Sequence, residues 1–114
     1  MQHKVIVVLV DGLSAGVAHG MGYLAGMVEA ERGLYTTLSC ALPSLSRPLY
    51  ECILTGVPPV ASGITHNGVS SLSLHDSIFH LARAAGKRTA AAAYYWVSEL
   101  YNKSPWLAAR DRFT

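Results

Sequence analysis

Two residues of this 114-residue chain stand where a side chain can act on a ligand: Asp11, closing the apolar run VIVVLV, and Ser46, in the turn PSLSRP. A carboxylate just past the end of a strand points into the crevice where open parallel sheets bind ligands. The plainer reading of Asp11 is a turn aspartate before Gly12. Pro48 follows Ser46 by two residues, and proline is favoured in a helix's first turn because it has no N–H to satisfy and its φ is already helical. Ser46 is thus expected at the mouth of a helix N-terminus, where free N–H groups and the positive dipole end suit a phosphate. A hydroxyl there is either a nucleophile beside its own anion site or a plain N-cap. If both residues lie at one sheet edge, the pair suits a metal-assisted hydrolase, in which the carboxylate holds a cation that lowers the hydroxyl's pKa.

The elements that must position them follow from the pattern along the chain. Val5–Val10 is a continuous, β-branched run and predicts a strand buried on both faces of a parallel sheet. Ser14 to Arg32 predicts a helical region interrupted by four glycines, with Gly33 as its stop. Leu34–Cys40 predicts a second strand. After Pro48, the spacing of Leu49, Cys52 and Ile53 predicts an amphipathic helix with those three on its apolar face, ended by Thr55-Gly56. A Pro- and Gly-punctuated loop then runs to Asn67-Gly68. Asp76 or Ser77 is placed to cap a helix with Ile78, Leu81, Ala82 and Ala85 on one face, and Gly86 ends it beside Lys87 and Arg88. Thr89–Tyr95 is a third strand candidate, and a short helix is expected from Trp96 onward. This alternation predicts an α/β domain, a mostly parallel sheet with flanking helices, incomplete with only three strands.

Composition narrows the function classes. A formal charge of +2 and the absence of a Lys/Arg run give no electrostatic footprint for a nucleic-acid polymer or a membrane surface. The six apolar residues before Asp11 are too few for a signal-peptide core or a membrane span, so a cytoplasmic protein is expected. Cys40 and Cys52 make no disulfide framework and read as reduced core thiols.

The motifs carry a resemblance. The DG after VIVVLV, then PSLSRP, TGVPPVASGITHN and AAYYWVSE (Ala92 to Glu99) resemble, in order, the type I phosphodiesterase/nucleotide pyrophosphatase branch of the alkaline phosphatase superfamily. The resemblance implies that the chain is the N-terminal portion of a single catalytic domain with an alkaline-phosphatase-like fold. Asp11 would then ligate a divalent cation, and Ser46 would be the nucleophile, transiently phosphorylated and also a metal ligand. It implies two divalent metal ions of zinc type, clamping the attacking and leaving oxygens, and a small-molecule phosphate ester as substrate. Asn67 matches the asparagine after the family's GI pair, with a loop or a substrate role.

The departures bear on substrate. Leu49 stands where nucleotide-cleaving relatives carry a phosphate-binding Asn, which leaves Arg47 as a candidate for that contact through its bidentate fork; the alternative is an exposed surface arginine. Ser62 replaces the usual His. Tyr50 breaks the sulfatase pattern C/S-x-P-x-R. The family's other metal ligands come from far downstream, and His3, His19, His66, His75 and His80 form no ligand cluster, so the site is expected to be completed either by the rest of a longer enzyme or by a C-terminal companion fragment. Two other classes remain: a non-catalytic α/β binding or assembly module with Ser46 as a cap, and a sulfatase or phosphomutase relative.

Overall fold

The computed structural model describes residues 4–103, which divide into two compact units, Met1–Ser39 and Cys40–Thr114. Among the described residues there are six helices and no strand, which corrects the α/β expectation. Val5–Val10, Leu34–Cys40 and Thr89–Ala93 make no backbone–backbone hydrogen bond to one another. The physical reason is that a β-branched, apolar run expresses a preference for extended backbone and burial, while a strand exists only when a neighbouring backbone completes its ladder. Here the run stays unpaired, and its side chains are exposed, Ile6 to 86%.

In the first unit the glycine-rich segment forms two short helices instead of one. Helix α1 is Ala15–His19 and α2 is Gly22–Glu29. Ser14 caps α1, its Oγ accepting from Val17 N–H at 3.4 Å. None of the residues of α1 or α2 is buried. Asp11 and Gly12 form a turn, with Gly12 at φ 72°, a left-handed value that suits glycine.

The second unit holds the core. Helix α3, Ser46–Thr55, already includes Ser46 and Pro48 in its first turn, and it ends where Gly56 takes the left-handed conformation, φ 77°, its N–H donating to Cys52 O. The single turn α4, Pro59–Ser62, follows, then α5, Ile78–Ala84, and α6, Tyr95–Tyr101. Ser77 caps α5 in a reciprocal box with His80, and Gly86 follows it at φ 72°. Tyr50 and Leu54 of α3, Ile64, and Val97, Leu100 and Tyr101 of α6 make the buried cluster, with Val69, Phe79, Ala91 and Trp96 packed against it.

The face that α3 buries is not the predicted one. Arg47, Pro48, Tyr50, Glu51 and Leu54 are buried, whereas Leu49 and Cys52 are half-buried and Ile53 is 52% exposed. Positions 47, 50, 51 and 54 also follow i, i+3, i+4, i+7 spacing, so the helix offers two candidate faces. The one carrying two charged residues goes inside because both find partners there. The predicted face of α5 is also outward: Ile78 and Leu81 are exposed, and Phe79 packs on the core instead. Cys40 is exposed and Cys52 half-buried, and both are free thiols. No described helix is long and apolar enough to cross a membrane. The tail with Trp106 and Asp111, and His3 at the other end, lie outside the described residues.

Candidate functional site

The start of α3 is where the structure concentrates polar chemistry. Ser46 is not the N-cap: Leu45 holds that place, with extended φ and ψ, and makes no side-chain cap bond. Ser46 is the first helical residue and is half-buried. A helix leaves its first N–H groups without intrahelical partners. Here Arg47 N–H donates to Asn67 Oδ1 at 3.0 Å, and Pro48 has no N–H to satisfy. Asn67 therefore caps α3 from a loop twenty residues away, which gives it the loop role. The same contact occupies the Arg47 N–H that would otherwise face a phosphate.

Arg47 is 3% exposed, neither the surface arginine nor the outward phosphate fork that its sequence context allowed. Its Nη2 donates to Glu99 Oε2 at 2.6 Å, its Nη1 donates to the Val69 carbonyl, and its guanidinium lies 4.8 Å from the Trp96 ring centroid. Burying a guanidinium is costly unless it is paired and hydrogen-bonded. The carboxylate and carbonyl supply the bonds, and the indole face adds cation–π attraction. Its Nε is buried without a hydrogen-bond partner. As placed, the side chain is committed to protein groups.

One turn further along, Glu51 is completely buried. Tyr101 O–H donates to its Oε2 at 2.6 Å, and Ser73 O–H donates to its Oε1. Burial pushes the Tyr101 phenol well above its ordinary pKa, and the hydrogen bond to Glu51 and the charge of that carboxylate act in the same direction. This network was missed in the sequence. Its one local signal is the Arg47–Glu51 pair four apart on the face that also carries Tyr50 and Leu54.

Three of the four motif segments thus meet at the first turn of α3: the PSLSRP turn, the loop ending at Asn67, and AAYYWVSE through Trp96 and Glu99. Asp11 is exposed and belongs to the first unit, Ser46 to the second. Tyr94 and Tyr95 are exposed, with ring centroids 4.5 Å apart. Among the described residues no group of three or more His, Cys, Asp or Glu side chains is arranged to hold a metal ion. The donor set of a two-zinc centre is therefore not assembled there, and Asp11 and Ser46 stand as single candidate donors. No protein-family model, curated protein or solved structure matches the chain.

Proposed function

We propose that the chain bears the nucleophile segment of a phosphoester hydrolase of the phosphodiesterase and nucleotide pyrophosphatase type, with Ser46 as nucleophile. The supporting observation is the convergence on one helical turn of three sequence segments that independently resemble that class. In this reading Ser46 Oγ forms a bond to phosphorus as the bond to the leaving alcohol oxygen breaks in line. The serine proton leaves with that alcohol, and water then cleaves the serine phosphodiester, releasing a phosphate monoester and restoring the hydroxyl. Such covalent catalysis divides one difficult displacement into two easier ones. Charge on the equatorial oxygens has to be met by donors around the turn. The Arg47 side chain is spoken for, so Asn67 Nδ2, on the amide whose Oδ1 caps α3, is a candidate donor in its place. Divalent ions belong to the reaction class, but no step is assigned to them because their ligands are not gathered among the described residues.

The missing donor set favours a second reading, a non-catalytic binding or assembly module in which the α3 turn is purely structural. Hydrolysis of a chromogenic phosphodiester, with zinc or manganese added and with intact-mass detection of a covalent serine adduct, separates the two. Turnover that is lost in Ser46→Ala, together with an adduct on the wild-type chain alone whose mass is that of the substrate less its leaving alcohol, supports the hydrolase. Unchanged turnover in Ser46→Ala removes Ser46 as nucleophile, and no turnover even when the downstream metal-ligand segment is supplied supports the module.

A further inference from the structure

We propose that Arg47 is a positioning residue for Ser46, held in that role by Glu99 and Trp96. The inference rests on the reading of Ser46 as nucleophile, although its structural half does not.

Residue 47 is joined to the next segments at both its backbone and its side chain. Its N–H donates to Asn67 Oδ1 at 3.0 Å, while its guanidinium donates to Glu99 Oε2 at 2.6 Å and to the Val69 carbonyl and faces the Trp96 ring. These contacts lie 20, 22 and 52 residues away in sequence, on a loop and on α6. Ser46 is the adjacent residue, so its Cα is one virtual bond from a backbone fixed on both counts. A serine at the start of a helix otherwise sits where helices fray. An attacking hydroxyl must be held to within a fraction of an ångström and a few tens of degrees of its line of attack. Fixing residue 47 accomplishes that without placing another charge beside the hydroxyl.

A buried arginine committed to a carboxylate makes a different kinetic statement from an arginine on substrate phosphate. Loss of a positioning residue lowers kcat with little change in KM. Loss of a phosphate contact raises KM. The Glu99 side chain is 39% exposed, so it is reachable from solvent. Neutralising Glu99 should loosen the same turn while leaving Arg47 in the chain.

The full chain is compared with Arg47→Met, Glu99→Gln, their double variant and Arg47→Lys, all in a Trp106→Phe background so that Trp96 alone reports fluorescence. Amide hydrogen exchange reads the clamp directly. Exchange at residue 47 and at Leu49, whose N–H donates to Leu45 O, should quicken at least tenfold in each single variant, with Leu54 unchanged. The double variant should be no faster than the singles, because both disable one device. Trp96 emission should shift in Arg47→Met and only partly in Arg47→Lys, which keeps the cation over the ring but not the fork. On a phosphodiester, kcat should fall about tenfold with KM within twofold.

Unchanged exchange at residue 47 in Glu99→Gln overturns the clamp. A raised KM with constant kcat in Arg47→Met overturns positioning in favour of substrate contact. Failure of the nucleophile reading looks different: Ser46→Ala keeps its turnover while exchange and emission still respond to Arg47 and Glu99. In that case the clamp stands as architecture and the positioning role falls. A variant that loses protection at Leu54 as well has unfolded, and Arg47→Lys, the mildest change, then carries the comparison.

Discussion

Raising the pH should weaken this fold through Tyr101 in particular. Its phenol is buried and donates to Glu51 Oε2 at 2.6 Å, and burial, that bond and the Glu51 charge all lift its pKa above the ordinary 10.0. Because the folded value is the higher one, native and unfolded chains both hold this proton below pH 10. Above it the unfolded chain releases the proton first. The stability that Tyr101 contributes is therefore intact below about pH 10 and is lost as the pH climbs from there toward the folded value, at up to about 1.4 kcal/mol per pH unit. One unit above the unfolded value the loss is about 1.4 kcal/mol. The chain carries five other tyrosines, so the quantity to measure is a difference. Urea unfolding of the wild type and of Tyr101→Phe at pH 8 and pH 11 should show the variant losing about 1.4 kcal/mol less between the two conditions. At pH 8 the variant should be the weaker by about 1.5–3 kcal/mol, because the fully buried Glu51 side chain loses a hydroxyl donor. Equal pH losses in the two proteins would refute the reasoning, since the phenol would then titrate in the fold as it does in the open chain.

Two further substitutions probe the frame around the site. Leu100 is 1% exposed at the centre of the cluster, so Leu100→Ala should cost about 2–5 kcal/mol in urea unfolding, and a cost under about 1 kcal/mol would deny it that place. Gly56→Ala should cost about 1–2 kcal/mol in the same assay. A Cβ there would meet no atom within 4 Å, so the whole penalty is backbone strain at φ 77°, and a neutral result would mean that α3 ends differently.

What could be read from the sequence divides along a physical line. Signals that act within a few residues were legible: Pro48 in the opening turn of α3, Gly56 as its left-handed end, Ser77 as one of two candidate caps of α5, and the short helix near Trp96. Each is a property of one residue's φ or of one side chain reaching its own backbone. Signals that need a distant partner were not. Val5–Val10 has the composition of a buried strand, yet composition does not provide the neighbour that completes a ladder, and the run lies unpaired and exposed. The buried face of α3 was misassigned for the same reason. Leu49, Cys52 and Ile53 are the more apolar choice. Arg47 and Glu51 go inside only because Glu99 and Tyr101, at separations of 52 and 50 residues, are there to receive them. Asn67 was singled out by motif alone, and its bond to Arg47 N–H shows why an amide side chain suits that place: it caps a helix whose N-cap residue, Leu45, has no polar atom to offer.

The two buried charges of α3 also bear on how α6 is fixed against it. Arg47 and Glu51 are one helical turn apart, but each reaches across to α6, Arg47 to Glu99 and Glu51 to Tyr101. Apolar contacts between two helices tolerate sliding, because one methyl group replaces another at small cost. Polar contacts do not: shifting α6 by one turn would leave a buried guanidinium and a buried carboxylate without their partners, which is costly for each. The pairs therefore specify register more than they add stability. Register is what the start of α3 requires, since the Trp96 face and the Glu99 carboxylate meet Arg47 together only in this alignment. Replacing Glu51 and Tyr101 with Leu and Phe would test this, as the apolar pair should preserve or raise stability while broadening the amide exchange of α3's first turn. An equally protected first turn in that variant would mean that shape alone aligns the helices.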